Sequence, residues 1–248
     1  MITKAEIKMV RSLADKRGRS EHGLFVAEGE KLVRELHSSP LRVAKIYALP
    51  GVMEELDGDV CRVTAAEMER MSMLKTANNS LAVVEMPRRQ FDLAQAAGRL
   101  VLALDDVGNP GNLGTMIRLA DWFGIEDVVC SHNTADCFNP KVVQATMGAI
   151  IRVRVHYCDL PQLLSDARMR GMEVCGTFLD GENIYTSVLP ASGIVVMGNE
   201  GRGISDACAA YVSRRLHIPA YPAGRTGSES LNVSTAAAIV CSEFRRRG

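Results

Sequence analysis

Apolar positions along the chain fall into short blocks that alternate between helical and strand-like spacing. Over residues 4–17, Ile7, Val10, Leu13 and Ala14 recur at helical intervals and predict one helix. Residues 24–27 read as a short strand, 28–37 as a helix with Leu32, Val33 and Leu36 on one side, and 43–49 as a strand. Residues 64–71 read as a short helix in which Thr64 and Glu67 suit a capping box. A strand over 81–86 ends at Pro87, and 87–98 reads as a linker. Beyond it, strands are predicted at 100–105, 126–130, 152–156, 173–178, 193–197 and 214–218, with helices at 112–124, 139–148, 160–170, 205–210 and 231–246. This predicts a small α/β domain over 1–90, then a larger one over 98–248. Alternation of short apolar strands with helices predicts a mostly parallel sheet covered on both faces in the larger domain. In such sheets ligands sit beyond the carboxyl ends of the strands.

Composition narrows the class. Hydrophobic residues make up 47% and charged residues 23% of the 248, as in a globular protein. The longest apolar runs, such as 100–104, are too short to span a bilayer. The segment 1–11 carries Lys4, Glu6, Lys8 and Arg11 without an apolar stretch, unlike a secretory signal. Seven cysteines are scattered with no Cys-x-x-Cys pair and no Cys/His cluster. They are expected to be reduced thiols of a cytoplasmic protein, holding no metal.

Net charge is zero and does not announce a nucleic-acid partner. Residues 1–19 nevertheless hold Lys4, Lys8, Arg11, Lys16, Arg17 and Arg19 against Glu6 and Asp15, and Arg245, Arg246 and Arg247 follow one another near the carboxyl end. Charge alone reads as a solvated helix face and a frayed end.

Three segments, each after an expected strand, carry candidate chemistry. The first, 105–118, runs Asp-Asp-Val-Gly-Asn-Pro-Gly-Asn-Leu-Gly-Thr-Met-Ile-Arg: a turn-rich loop opening a helix, with Arg118 off the apolar stripe of Leu113, Met116, Ile117, Ala120 and Gly124. The second, 195–204, is a buried strand followed by a glycine-rich turn that holds Glu200; it lacks Gly-x-Gly-x-x-Gly spacing. The third runs from His217-Ile218-Pro219 to 228–239, with Ser230 where an N-cap is expected and a helix of small residues over 234–239. Taken singly, each also reads as an ordinary strand–loop–helix connection.

In this order, the three segments resemble the SpoU–TrmH family of RNA 2′-O-methyltransferases. Asn112, Gly114 and Arg118 match its Asn-x-Gly-x-x-x-Arg signature, and Gly198, Glu200 and Gly201 match Gly-x-Glu-Gly. Ile218, Pro219 and 230–234 match its Ile-Pro and Ser-Leu-Asn-Val-Ser signature. Phe25-Val26-Ala27-Glu28-Gly29, followed by Lys31-Leu32-Val33, resembles the family's ribosomal-protein-like substrate-binding domain. Two features depart from the pattern: the loop between Pro219 and Ser230 is longer, and Gln144 stands where arginine is frequent. Both bear on the RNA target more than on the reaction.

The resemblance implies an α/β fold with a trefoil knot in the larger domain, S-adenosylmethionine as cofactor, and a homodimer formed by the knotted domain. The small-residue helix 234–239 suits such close packing. Residues around Thr177, Gly198, Ile218 and Leu231 match cofactor-lining positions. The implied reaction is methyl transfer to a ribose 2′-hydroxyl of structured RNA, with ribosomal RNA expected over transfer RNA. Arg118 takes the hydroxyl-activating role, and Asn112, Glu200, Ser230 and Asn232 orient it, the cofactor and the ribose. An arginine stays protonated, with a pKa above about 12. Orientation of a phosphate and polarisation of the hydroxyl is therefore the easier role. Arg11, Lys16, Arg17, Arg19 and Lys31 are expected to meet RNA phosphate. A non-catalytic RNA-binding protein of the same fold is disfavoured by the presence of Asn112, Arg118, Glu200 and Asn232. A nucleotide-dependent oxidoreductase is disfavoured by the missing dinucleotide fingerprint.

Overall fold

The structure, a computed structural model, describes residues 2–56, 58–222 and 230–246. Most of the longer loop between Pro219 and Ser230 lies outside the described residues, as does Arg247. The chain divides into two compact units: 1–88 with 136–151, and 89–135 with 152–248.

In the first unit, β1 (Leu24–Glu28), β2 (Val43–Ala48), β3 (Val60–Arg62) and β4 (Ser80–Glu85) form a sheet in the order β1-β4-β2-β3. β4 runs antiparallel to both its neighbours, and β3 is parallel to β2. The helices are α1 (Lys4–Ser12), α2 (Lys16–His22), α3 (Glu30–His37) and α4 (Ala65–Met71). The Thr64–Glu67 capping box at the start of α4 is present in both directions. Val10, Leu13, Val26, Tyr47, Met68, Met71 and Leu81 share one buried core.

The helix expected over 4–17 is two helices. α1 stops at Ser12, and α2 lies so close that a Cβ on Gly18 would sit 2.1 Å from the Ser12 carbonyl oxygen. Arg19 stabilises the break. It is 2% exposed, and its Nη1 donates to the carbonyls of Leu13 and Ala14, both at 2.8 Å. Its Nε and Nη2 donate to Asp136 Oδ2 at 3.1 and 2.6 Å.

Asp136 belongs to the stretch 136–151, which the expected division into 1–90 and 98–248 assigns to the other domain. That stretch carries a helix over Pro140–Ala145 and packs with the first unit. Phe138 lies 4.8 Å from the Phe25 ring, and a Cβ on Gly148 would meet Glu35 Oε2 at 2.6 Å. A local pattern cannot reveal this, because the partners are remote in sequence.

The second unit holds β5 (Leu100–Leu104), β6 (Asp127–Ser131), β7 (Arg154–Cys158), β8 (Val174–Asn183), β9 (Gly193–Met197) and β10 (Arg214–His217). They form one sheet in the order β10-β8-β9-β5-β6-β7, every pair parallel. β5, β6 and β9 are buried along their whole length, as strands covered on both faces must be. The expected linker 87–98 carries the short helix α5 (Leu93–Ala96). With the helix over Pro140–Ala145 counted as α7, Leu93 and Ala96 join α8 (Leu160–Met169) in the core over one face. The longer helices α6 (Pro110–Trp122) and α10 (Val233–Arg246) pack on each other; α9 is the short turn Asp206–Ala209. Ala237 of α10 is fully buried in the chain's own core. α6 ends before Gly124, whose φ of 63° takes it out of the helical stripe. Arg245 donates to the carbonyls of Phe123 and Gly124 at 2.8 and 3.0 Å, closing that helix end rather than pointing outward.

At the amino ends of β6 and β7, Asp127 accepts from Arg154 at 2.7 and 2.8 Å and lies 3.0 Å from His156 Nε2. Burial pushes the Asp127 carboxyl up, but the hydrogen bonds from Arg154 and His156 outweigh it and hold the carboxyl below its ordinary value. Burial takes His156 the other way, below the ordinary imidazole value, against the pull of Asp127.

Candidate active site

The three chemistry-bearing segments leave the carboxyl ends of β5, β9 and β10, which lie with β8 in the order β10-β8-β9-β5. After β5, Asn109 caps α6: its Oδ1 accepts from the amides of Gly111 and Asn112 at 2.8 and 3.1 Å, and Pro110 fills the first helical position. That geometry fixes Asn112 in the first turn of α6.

After β9 the chain closes a tight turn. Asn199 and Gly203 exchange backbone hydrogen bonds, both at 2.9 Å. A Cβ on Gly198 would lie 2.2 Å from the Gly203 carbonyl carbon, so the turn closes only around glycine. The Asn199 carboxamide oxygen accepts from the amides of Gly201 and Arg202 at 2.9 and 3.1 Å. This leaves Glu200 exposed at the tip.

Before α10, Asn232 is the cap, not Ser230. Its Oδ1 accepts from the amides of Ser234 and Thr235 at 3.0 and 3.3 Å, and the helix begins at Val233. Ser230 is exposed two residues upstream.

The three segments meet at Asn112. Its Nδ2 donates to Glu200 Oε1 at 2.7 Å, and its Oδ1 accepts from Asn232 Nδ2 at 3.2 Å, with the Ser234 hydroxyl 3.4 Å away. The Asn112 amide is thereby oriented, its nitrogen toward the carboxylate and its oxygen toward the third segment. Ser234, part of the third motif but given no role from the sequence, donates its hydroxyl proton to Asn232 Oδ1 at 2.6 Å and so braces Asn232. Its position two residues beyond an Asn cap is a signal the sequence carries. Arg118 stands apart on the exposed side of α6 and has no hydrogen bond or ion pair among the described residues. The network therefore does not tie it down, and its donors are open.

Of the cofactor candidates, Thr177 lies where β8 leaves its pairing with β9, its hydroxyl 3.4 Å from the Val196 carbonyl. Gly198 follows β9, Ile218 follows β10, and Leu231 precedes α10. Leu231 is 51% exposed and Ile218 half-buried. Leu231 and Ile218 thus leave apolar surface open next to backbone turns, chemistry compatible with the face of an adenine base.

Of the candidate phosphate contacts, Arg11, Lys16, Arg17 and Lys31 are exposed. Arg11 also donates to the Ser72 carbonyl. Arg19 is a correction: its guanidinium is buried and occupied by Asp136 and two carbonyls, and it presents nothing to a phosphate.

No group of three or more His, Cys, Asp or Glu able to hold a metal occurs among the described residues. Nor is any described helix long and apolar enough to cross a membrane. All seven cysteines are free thiols. Burial pushes Cys208 up to about 12, which leaves it unreactive.

A parallel α/β sheet thus brings an Asn–Glu–Asn network together beyond three of its strand ends, with Arg118 exposed further along α6. The chain belongs to the SpoU rRNA methylase family, whose model matches residues 99–242, and residues 4–82 match the MRM3-like substrate-binding domain. It is an S-adenosylmethionine-dependent RNA 2′-O-methyltransferase. RlmP of Bacillus subtilis, a 23S rRNA guanosine 2′-O-methyltransferase, is 32% identical over 97% of this chain and 96% of its own. RlmB of Neisseria meningitidis, also a 23S rRNA guanosine 2′-O-methyltransferase, is 27% identical over 86% of this chain and 90% of its own. Among solved structures, a TrmH-family protein from Porphyromonas gingivalis superposes with a TM-score of 0.88 at 38% identity, covering 100% of both chains. An AdoMet-bound rRNA methyltransferase from Sinorhizobium meliloti gives 0.85 at 28% identity, covering 99% and 96%.

Proposed function

We propose that this enzyme methylates the 2′-hydroxyl of a guanosine in large-subunit ribosomal RNA, in the cytoplasm. The observation that carries the reading is the end-to-end likeness to RlmP, which takes in the substrate-binding part as well as the catalytic one. The exposed Lys16, Arg17, Lys31 and Arg11 of the first unit are assigned to RNA phosphate, where each contact releases about one counterion.

S-adenosylmethionine, when bound, supplies a methyl group on a sulfonium that leaves without assistance. The protein has to align the ribose oxygen with that methyl and weaken the hold of the hydroxyl on its proton. Arg118 does the second: its guanidinium binds a phosphate oxygen of the RNA and polarises the hydroxyl, and as the ribose oxygen takes the methyl its proton passes to that phosphate or to water, since the arginine stays protonated. Asn112 holds Glu200 in one orientation, and Asn232, braced by Ser234, holds Asn112. Glu200 Oε2 accepts no hydrogen bond among the described residues and faces the ribose in this reading. Ser230 lines the same mouth. Thr177, Gly198, Ile218 and Leu231 line the adenosyl side.

The second unit is assigned a trefoil knot and a homodimer, in keeping with the family. In the small-residue stretch of α10, Ala237 is taken up by packing within the chain, while Thr235 is exposed and Ser234, Ala236, Ala238 and Ile239 are half-buried. Trp122, 83% exposed on α6, is a further apolar contact for a second copy. Sedimentation of the purified enzyme tests the dimer, and an active monomer overturns it. For the target, 2′-O-methylation mapped across total RNA with and without the gene should lose one large-subunit guanosine. A lost site in transfer RNA overturns the assignment.

A further inference from the structure

Asp106, between β5 and the cap of α6, lies in no family signature, yet all its polar groups are engaged. Its amide donates to the Ser131 hydroxyl at 2.9 Å, and that hydroxyl lies 3.0 Å from Asp106 Oδ1. Its Oδ2 accepts from Arg202 Nη2 at 3.1 Å, and its carbonyl accepts from Asn199 Nδ2 at 2.9 Å. Ser131 is itself braced: its hydroxyl lies 3.2 Å from that of Thr134, which donates to the Leu104 carbonyl at 3.1 Å. Asp106 holds all this with a φ of 56°, in the left-handed region that residues with a Cβ other than Asn and Asp largely avoid. Glycine would adopt that backbone with less strain. Strain of this kind persists where the surroundings over-determine it, and it concentrates at functional sites.

The partners of Asp106 point to what is determined. Asn199 and Arg202 flank Glu200 in the turn after β9, and Asn112 stands six residues beyond Asp106. Asp106 thus ties the loop that delivers Asn112 to the turn that delivers Glu200, and anchors both to the end of β6. We infer that Asp106 is a positioning residue for methyl transfer, its carboxylate acting through Arg202 and Ser131 to set the Asn112–Glu200 contact. The inference rests on the assignment of Asn112, Glu200 and Arg118 to the reaction.

A loop staple with no part in catalysis would show its loss as lost stability. Asp106→Gly separates the two roles, because glycine removes the left-handed penalty while deleting both carboxylate bonds. Single-turnover methyl transfer is measured at saturating S-adenosylmethionine on ribosomal RNA from cells lacking the gene. The expected result is a rate at least tenfold below wild type, with the melting midpoint and cofactor Kd little changed. Asp106→Asn, which tolerates the same φ and keeps an acceptor for Arg202, should stay within about threefold of wild type. Arg202→Ala should lower the rate in the same direction, and adding it to Asp106→Gly should lower it no further. An Asp106→Gly rate within twofold of wild type overturns the inference, as does a fall fully matched by unfolding. Arg118→Ala in the same series separates the two failures. If it is inactive while Asp106→Gly is normal, only the inference fails; if it too is normal, the site assignment itself fails.

Discussion

Asn112→Asp is a change of one group that inverts the polarity of the network's centre. The substitution replaces the Nδ2 that donates to Glu200 at 2.7 Å by a carboxylate oxygen, so a donor–acceptor pair becomes two like charges in contact. The other half of the network survives, because the new side chain keeps the oxygen that accepts from Asn232 at 3.2 Å. A hydrogen bond to a charged group contributes about 1.5–3 kcal/mol, so misorienting Glu200 should slow transfer by about 10–150-fold. Stability should not follow. The new carboxylate sits in the first turn of α6, where negative charge is favoured by about 0.3–1 kcal/mol. The assay is single-turnover methyl transfer at saturating cofactor alongside a thermal melt. A compensating Glu200→Gln restores a donor opposite the introduced carboxylate and should recover part of the lost rate. Transfer within twofold of wild type by Asn112→Asp, or no coupling between the two sites in the double-mutant cycle, would refute the reasoning.

Other consequences follow from the same structure. Arg19→Ala strands Asp136 and two carbonyls, and should destabilise by about 3–5 kcal/mol, read as a fall in Tm on the order of 10 °C; a shift under about 2 °C would contradict it. Charge reversal of Lys16 and Arg17 together should weaken RNA binding and reduce the slope of log affinity against log salt by about two, with cofactor affinity unaltered; an unchanged slope returns them to a solvated face. For pH, the folded His156 has a pKa lowered by burial, so between its folded value and the ordinary value near 6.5 the unfolded chain binds more protons. Stability is then full above about pH 6.5 and falls as the pH drops through that window. His156→Asn should flatten the decline, and an identical Tm–pH curve for the variant would contradict the assignment.

How much of this the sequence carries depends on the range of the interaction that decides each feature. β9 lies at its expected 193–197, because a strand buried on both faces is a plain apolar run bounded by glycine. The Thr64–Glu67 box is local and present as expected. α2 is not legible, since Lys-Arg-Gly-Arg-Ser-Glu-His has no apolar stripe and reads as a basic surface. β3 escapes the pattern because Val60-Cys61-Arg62 is too short to show a period, and it exists through pairing with β2. β8 runs to Asn183, well past the apolar stretch, because a register shift in its pairing with β10 places Glu182 and Asn183 opposite Leu216 and His217. At the site, the motif residues are identifiable in the sequence, but their contacts are not. Asn112 and Glu200 are 88 positions apart, and Arg19 and Asp136 are 117 apart. The same arginine-rich text therefore yields an open Lys16–Arg17 face and a buried Arg19. Asp106 stands within the first motif without a role legible there, because its φ and its partners Ser131, Asn199 and Arg202 belong to the folded loop alone.

The central claim is that Arg118 activates the ribose hydroxyl and neither builds the fold nor holds the cofactor. It lies on the exposed side of α6 with no hydrogen bond or ion pair among the described residues, so Arg118→Ala removes no packing. Single-turnover transfer by Arg118→Ala, at saturating S-adenosylmethionine and with cofactor Kd measured by calorimetry on the same preparation, tests that claim most directly. The account predicts an unchanged Kd and melting midpoint with transfer reduced by at least about 100-fold, and little rescue by Arg118→Lys, which keeps the charge but not the planar fork. Near wild-type transfer, or a loss explained by failure to bind cofactor, would contradict it.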